Sequence, residues 1–307
     1  MNKNNGFGIN PIGIYEKALP ANLDWEERLR QAGQAGYDFV EMSIDDSDDR
    51  LKRLDWNTSE RNAIRHAIEK TGIPILTMGV SGHRKYPMGS SSEEIRNRGL
   101  DILYQAIDLA QDLGIRMIQL MGYDVFYEKS DPDTKARYLD GLFQGASWAS
   151  NAGVMLALEN VDVDTVDSVE KALKFTREVN SPWLNVYPDV GNLVAAGFDP
   201  VEQIMLAEKD MVGVHLKDAL PGEVRGVVFQ EGVVPFSDVF MKLSELQFSG
   251  PMVVEMWAHL DKTGDPFQSI VDARQFVKRM IEANLLKRID CPSTERESDR
   301  EKTEEIE

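Results

Sequence analysis

Four residues in the second half of the chain carry side chains that could share one metal ion: Glu159, Asp189, His215 and Glu255. Each follows a short apolar run, at 155–158, 183–188, 211–214 and 252–254. Their spacings of 30, 26 and 40 residues each fit about one strand-helix unit. Three carboxylates and one imidazole form an oxygen-rich donor set suited to a divalent ion such as Zn²⁺ or Mn²⁺. Each residue also has a plainer use. A carboxylate behind a strand can cap the next helix, and a single histidine at a strand end is commonly just a satisfied polar group. All four together at successive strand ends favour ligation, because charges near a core are costly unless paired or metal-bound.

Residues so far apart in sequence meet only if the chain returns them to one place. In a closed parallel barrel the C-terminal strand ends converge on a single face, and the chain's pattern fits that architecture. Apolar runs within 7–15 and at 39–42, 75–80, 117–121, 155–159, 183–188, 211–216 and 252–255 predict strands. Between them lie segments with helical spacing at 24–35, 58–71, 92–113, 133–151, 167–179, from 199, to 246, and 267–286. Asn22 or Asp24, Ser92 and the Asp-Pro pairs 131–132 and 199–200 mark starts, and Gly72 and Gly114 mark stops. Eight strands alternating with about eight helices predict an α/β fold, a (β/α)8 TIM barrel. One catalytic domain is expected over 1–289, with a charged, disordered tail at 290–307. Glu41 ends the second strand facing the barrel mouth, and the acidic stretch 45–49 reads as an exposed loop.

The third predicted strand opens into Ser81-Gly82-His83-Arg84-Lys85, a set able to hold a phosphate: arginine donates in a fork and lysine supplies a point charge. The aromatic loop 122–127 reads as the wall of a sugar pocket or a cover for the barrel rim. With 307 residues, 42% of them hydrophobic, the chain can bury a large core. Its net charge of −18 opposes nucleic acid as a partner. Eight acids against three bases in 290–307 account for −5 of that charge and leave −13 on the rest. No apolar run reaches the roughly 20 residues of a membrane span. A single cysteine, Cys291, points to a reducing cytoplasm. No Gly-rich nucleotide fingerprint, Walker loop or nucleophile elbow occurs.

Five segments resemble the L-ribulose-5-phosphate 3-epimerases, also called L-xylulose-5-phosphate 3-epimerases, of L-ascorbate degradation. They are Leu158-Glu159-Asn160, Tyr187-Pro188-Asp189-Val190-Gly191-Asn192, Val214-His215-Leu216-Lys217-Asp218, Val254-Glu255-Met256-Trp257 and the Ser81-Gly82-His83-Arg84-Lys85-Tyr86-Pro87 loop. The likeness spans about 13–286, within the xylose-isomerase-like barrels. It implies that Glu159, Asp189, His215 and Glu255 hold the ion, that Arg225 reaches substrate oxygens near the reacting carbons, and that Asn192 stands where free-sugar epimerases have a histidine. It also implies a ketopentose 5-phosphate substrate and, together with the frequency of two-fold assemblies, a homodimer. Epimerising C3 of a 2-ketose means removing a proton beside a carbonyl, through an enediolate, and returning it to the opposite face. Glu159 and Glu255, from different sides of the barrel, are the expected acid and base. The competing expectations are another sugar or sugar-phosphate isomerase or epimerase of this fold and a non-catalytic sugar-phosphate-binding protein. A DNA-repair endonuclease fits poorly, given the charge and only four histidines.

Overall fold

The structure, a computed structural model, describes residues 10–290, with side chains described through Leu285. Apart from Asp290, the expected charged tail lies outside these residues, as do positions 7–9 of the expected first strand. Eight strands form one sheet: β1 (Ile12–Tyr15), β2 (Phe39–Ile44), β3 (Ile75–Val80), β4 (Met117–Met121), β5 (Met155–Glu159), β6 (Leu184–Tyr187), β7 (Val214–Leu216) and β8 (Met252–Val254). Their order is 6-5-4-3-2-1-8-7, and every ladder is parallel. Two isolated parallel bridges, Val186 to Met211 and Asp189 to His215, join β6 to β7 and complete the ring. The second of these bridges already places two expected ligands side by side.

Around the ring run α1 (Trp25–Gln34), α2 (Asp48–Leu51), α3 (Thr58–Thr71), α4 (Glu93–Leu113), α5 (Pro132–Ala152), α6 (Val169–Val179), α7 (Val190–Ala195), α8 (Pro200–Ala207), α9 (Phe236–Glu245) and α10 (Pro266–Asp290). Side-chain caps start most of the longer ones: Asp24, Asn57, Ser92, Asp131, Ser168 and Asp199 each accept backbone N–H bonds of the first turn. Gly72, Gly114 and Gly153 stop three helices at φ of 71°, 76° and 68°, a left-handed turn that needs no Cβ clearance. The chain therefore leaves each of these helices already turned toward the next strand.

Strand alternation divides the apolar residues into two layers. Val40, Met42 and Ile44 of β2 belong to the large core between barrel and helices. Phe39, on the opposite face, packs inside the barrel with Tyr15 and Val253, while Met117, Ala157 and Tyr187 form a second interior cluster. The polar residues Glu41, Ser43, Thr77 and Gln119 are also buried. These polar groups near the strands' C-terminal ends are where chemistry is placed.

The acidic stretch 45–49 is not simply an exposed loop. Asp48 and Asp49 begin α2, and Asp45 is buried against Lys17 (2.5 Å) and Arg50 (3.3 Å). The cations explain the difference, since they neutralise what the acidic run alone leaves unbalanced. Residues 190–192, directly behind Asp189, form the first residues of α7.

Just after β1, Glu16 is buried against Arg50 and Arg53, the latter at 2.6 Å. Burial alone pushes its carboxyl up, but Arg53, Arg50 and Arg28 outweigh that and hold it below the ordinary glutamate range. A depressed carboxyl stabilises the fold above its unfolded pKa and loses that contribution as pH falls through the folded value. We expect Glu16→Gln to cost about 3 kcal/mol at neutral pH, because it removes the carboxylate from the half-buried Arg50 and Arg53. Thermal melts should show that gap narrowing as pH falls through and below the ordinary glutamate value of 4.5; a gap independent of pH would contradict the assignment.

Candidate metal centre and substrate pocket

The structure brings Glu159, Asp189, His215 and Glu255 together, with one ligand atom from each within 4.8 Å of the others. Glu159 is the last residue of β5, His215 the middle of β7, and Glu255 follows β8 directly. Asp189 lies just past β6, where its Oδ1 caps α7 by accepting the Asn192 N–H at 2.9 Å. Its other oxygen, Oδ2, is thus left to face the cluster. His215 Nδ1 faces the carboxylates, 3.1 Å from Glu159 Oε1 and 3.8 Å from both Asp189 Oδ2 and Glu255 Oε2.

The donor set fits a divalent cation on its own geometry. Asp189 Oδ2 is fully buried, with the Lys217 ammonium 2.7 Å away. A buried carboxylate oxygen grouped with two further carboxylates and an imidazole, and answered by only one ammonium, is suited to a cation. Burial, with the charges of Asp189 and Glu255 adding to it, raises the Glu159 carboxyl's proton affinity against the pull of His215. Burial pushes the His215 imidazole down, but Glu41 and the other surrounding groups raise it well above its ordinary value.

Several supporting residues have no motif that the spacing analysis could weigh. Glu41 Oε1 lies 2.8 Å from His215 Nε2, and its other oxygen accepts from Thr77 Oγ1 at 2.7 Å. This carboxylate fixes the ring so that Nδ1 points at the ligand cluster. Glu41 faces inward, as its strand position indicates. Gln119 Nε2 comes within 3.1 Å of the same Nδ1. Asn160 exchanges two bonds with the main chain of Asp189, at 2.9 and 3.1 Å. Asp189 is thereby tied to β5 although it lies beyond the β6 ladder. Lys217, within the Val214–Asp218 motif, is buried and stands two residues beyond His215. Strand alternation carries that spacing to the same face.

A cavity of about 240 Å³ opens above the cluster, lined in part by Tyr15, Ser81, Arg84, Tyr123, Arg225 and Trp257 along with Glu159, Lys217 and Glu255. Arg84 sits over the Phe126 ring at 4.8 Å, and Arg225 over Trp257 at 5.7 Å. Among the described residues neither guanidinium has a hydrogen-bond or ion-pair partner, and the Arg84 Nε is itself buried. Their donors are thus available to an anion or to sugar oxygens. Tyr123, from the aromatic loop, lines the cavity and donates to the Ser81 carbonyl at 3.1 Å. The two other loop residues expected at the substrate do not line it. His83 is buried with Nε2 3.0 Å from the Gly99 carbonyl, and burial pushes its pKa down to about 4. Lys85 extends over Tyr86 toward Asp48, with nearly half its side chain exposed. Alternate residues of the 3-10 turn 82–84 and its C-cap point in different directions, which sequence adjacency does not reveal.

Residues 29–280 match the xylose isomerase-like TIM barrel family. The L-ribulose-5-phosphate 3-epimerase UlaE of Escherichia coli O17:K52:H18 is 44% identical over 277 residues, covering 90% of this chain and 97% of that one. The protein of the same description from Shigella sonnei strain Ss046 gives the same figures. The chain belongs to this epimerase family. It is accordingly an isomerase of the epimerase type. Among solved structures, an L-ribulose 3-epimerase superposes with a TM-score of 0.77 at 20% identity, covering 93% of this chain and 99% of that one. A D-psicose 3-epimerase, solved in the presence of D-fructose, gives 0.76 at 15% identity, with 88% and 99% covered. At such identities these two speak for the shared fold. No helix among the described residues is long and apolar enough to cross a membrane.

Proposed function

We propose that the protein interconverts L-xylulose 5-phosphate and L-ribulose 5-phosphate by moving the C3 proton from one face of the ketose to the other. The observation that carries this reading is the pairing of Glu159 and Glu255. They come from strands three places apart one way round the barrel and five the other, and both line one cavity with two unpaired arginines. One carboxylate takes the C3 proton while the other, protonated, delivers to the opposite face; the roles reverse with direction. A divalent ion, Zn²⁺ or Mn²⁺, held by Glu159, Asp189, His215 and Glu255, supplies Lewis-acid polarisation of the carbonyl and stabilises the enediolate charge. Arg225, beside Trp257, takes substrate oxygens near the reacting carbons. Arg84, with Ser81 beside it, takes the 5-phosphate.

The family likeness supports the substrate and its place in pentose catabolism, including that of L-ascorbate. The single cysteine fits a cytoplasmic enzyme, and the frequency of two-fold assemblies supports a homodimer, which sedimentation would register as twice the 34.6 kDa chain mass. The deciding experiment is proton NMR of metal-loaded protein in D₂O with L-xylulose 5-phosphate. Deuterium entry at C3 together with L-ribulose 5-phosphate is the expected result. Ligand binding with no exchange would defeat the reading in favour of a binding protein.

Arg84→Ala should raise KM for the phosphorylated ketose about 10- to 100-fold, the worth of one or two charge-assisted bonds, and leave kcat within a few-fold. Free L-ribulose should be indifferent to the change. An equal loss on the free sugar would move the phosphate site elsewhere.

A further inference from the structure

We propose that Lys217 is the positioning residue that fixes Glu255 for proton transfer on its face of the substrate; the inference rests on the two-carboxylate reaction proposed above. Glu255 is the most exposed of the four ligands, at 9%, and lies just beyond the end of β8. Among the described residues, the only hydrogen bond to its carboxylate comes from Lys217 Nζ, 2.8 Å from Oε2. Glu159, by contrast, sits inside β5, is 2% exposed, and is held by His215 without contacting Lys217.

Lys217 is built to stay in place. Its Nζ is shared between Glu255, Asp189 (2.7 Å) and the amide oxygen of Asn192 (2.8 Å), and it lies 5.5 Å from the centre of the Trp257 ring. Asn192 is itself anchored, donating to the Asn160 carbonyl at 3.0 Å. The start of α7 leaves room for the lysine stem: a Cβ at Gly191 would stand 2.7 Å from the Lys217 carbonyl oxygen and 3.1 Å from its Cε. Four carboxylates surround His215, counting Glu41. A divalent ion offsets two of those charges, and the buried ammonium offsets a third.

The test uses Lys217→Met and Lys217→Arg holoenzymes, each assayed in D₂O from both L-xylulose 5-phosphate and L-ribulose 5-phosphate. Bound metal and melting temperature are measured on the same samples. With wild type as control, both epimers exchange and invert. In Lys217→Met, inversion should fall at least 100-fold. The epimer whose C3 proton faces Glu159 should still exchange within about tenfold of wild type, whereas the other should do neither. Lys217→Arg keeps the charge and so secures the fold, but its longer, planar head displaces Glu255 and should give the same one-sided loss. Equal loss from both epimers in a metal-loaded variant would overturn the role of Lys217, as would unchanged inversion in Lys217→Met. If Lys217→Met fails to fold or to hold metal, Lys217→Arg alone decides by the same one-sided or equal pattern. A wild type that inverts neither epimer would overturn the reaction itself.

Discussion

Replacing Glu159 or Glu255 by glutamine should lower epimerisation by at least about a thousandfold, the scale of losing a positioned acid or base in a step that needs both. Glutamine keeps the volume and one oxygen donor but can neither accept nor return the C3 proton. Both residues also belong to the cluster that could hold an ion, so metal content must be measured beside the rate. The informative outcome is a variant with full metal and no inversion. Each single variant should retain exchange from the epimer that faces its surviving carboxylate. Turnover retained in metal-loaded Glu255→Gln would refute the assignment of Glu255, and the same holds for Glu159. The mechanism also predicts that the double variant is little slower in inversion than either single one, because two residues that act as a unit are not additive.

Stripping the divalent ion with a chelator should abolish activity to a similar extent, and adding back Zn²⁺ or Mn²⁺ should restore it. The apoprotein should also melt at a lower temperature. A ligand that binds only the folded state at about a thousand times its dissociation constant contributes about 4 kcal/mol. The buried cluster that loses the ion has Glu159, Asp189 and Glu255 facing one another around His215, which sharpens the effect. Lys217 limits the damage by pairing with Asp189 and Glu255, so a folded apoprotein is expected. His215→Ala should reproduce the loss of metal in the presence of added ion. Activity insensitive to exhaustive chelation would remove the metal from the reaction.

Much of the architecture was legible because its signals are local. Caps such as Ser92 and Asp131, glycines such as Gly114, and short apolar runs between them act over a few residues, and they located most of the elements to within a turn. The four clustered positions, Glu159, Asp189, His215 and Glu255, were legible for the same reason: each is a polar residue where an apolar run stops, and a parallel barrel gathers strand ends at one mouth. A family resemblance, carried by motifs around those residues, then pointed to the substrate.

What the chain's order could not express is which side chains face one another across the barrel. Glu41 and His215 are 174 residues apart in sequence and in contact at 2.8 Å; the pairing follows from strand order and register, which only closure of the ring decides. The Ser81–Lys85 run shows the converse, since adjacent residues of one polar cluster diverge: Arg84 enters the cavity while His83 and Lys85 do not line it. Lys217 combined both difficulties, standing in the Val214–Asp218 motif without an assigned role until the fold buried it among Asp189, Asn192 and Glu255. Sequence by itself determined the elements, the donor set and the kind of fold, because these depend on short-range propensity and periodicity. Tertiary structure decided the partners, because burial turns a charge from a surface convenience into a group that must be answered by another.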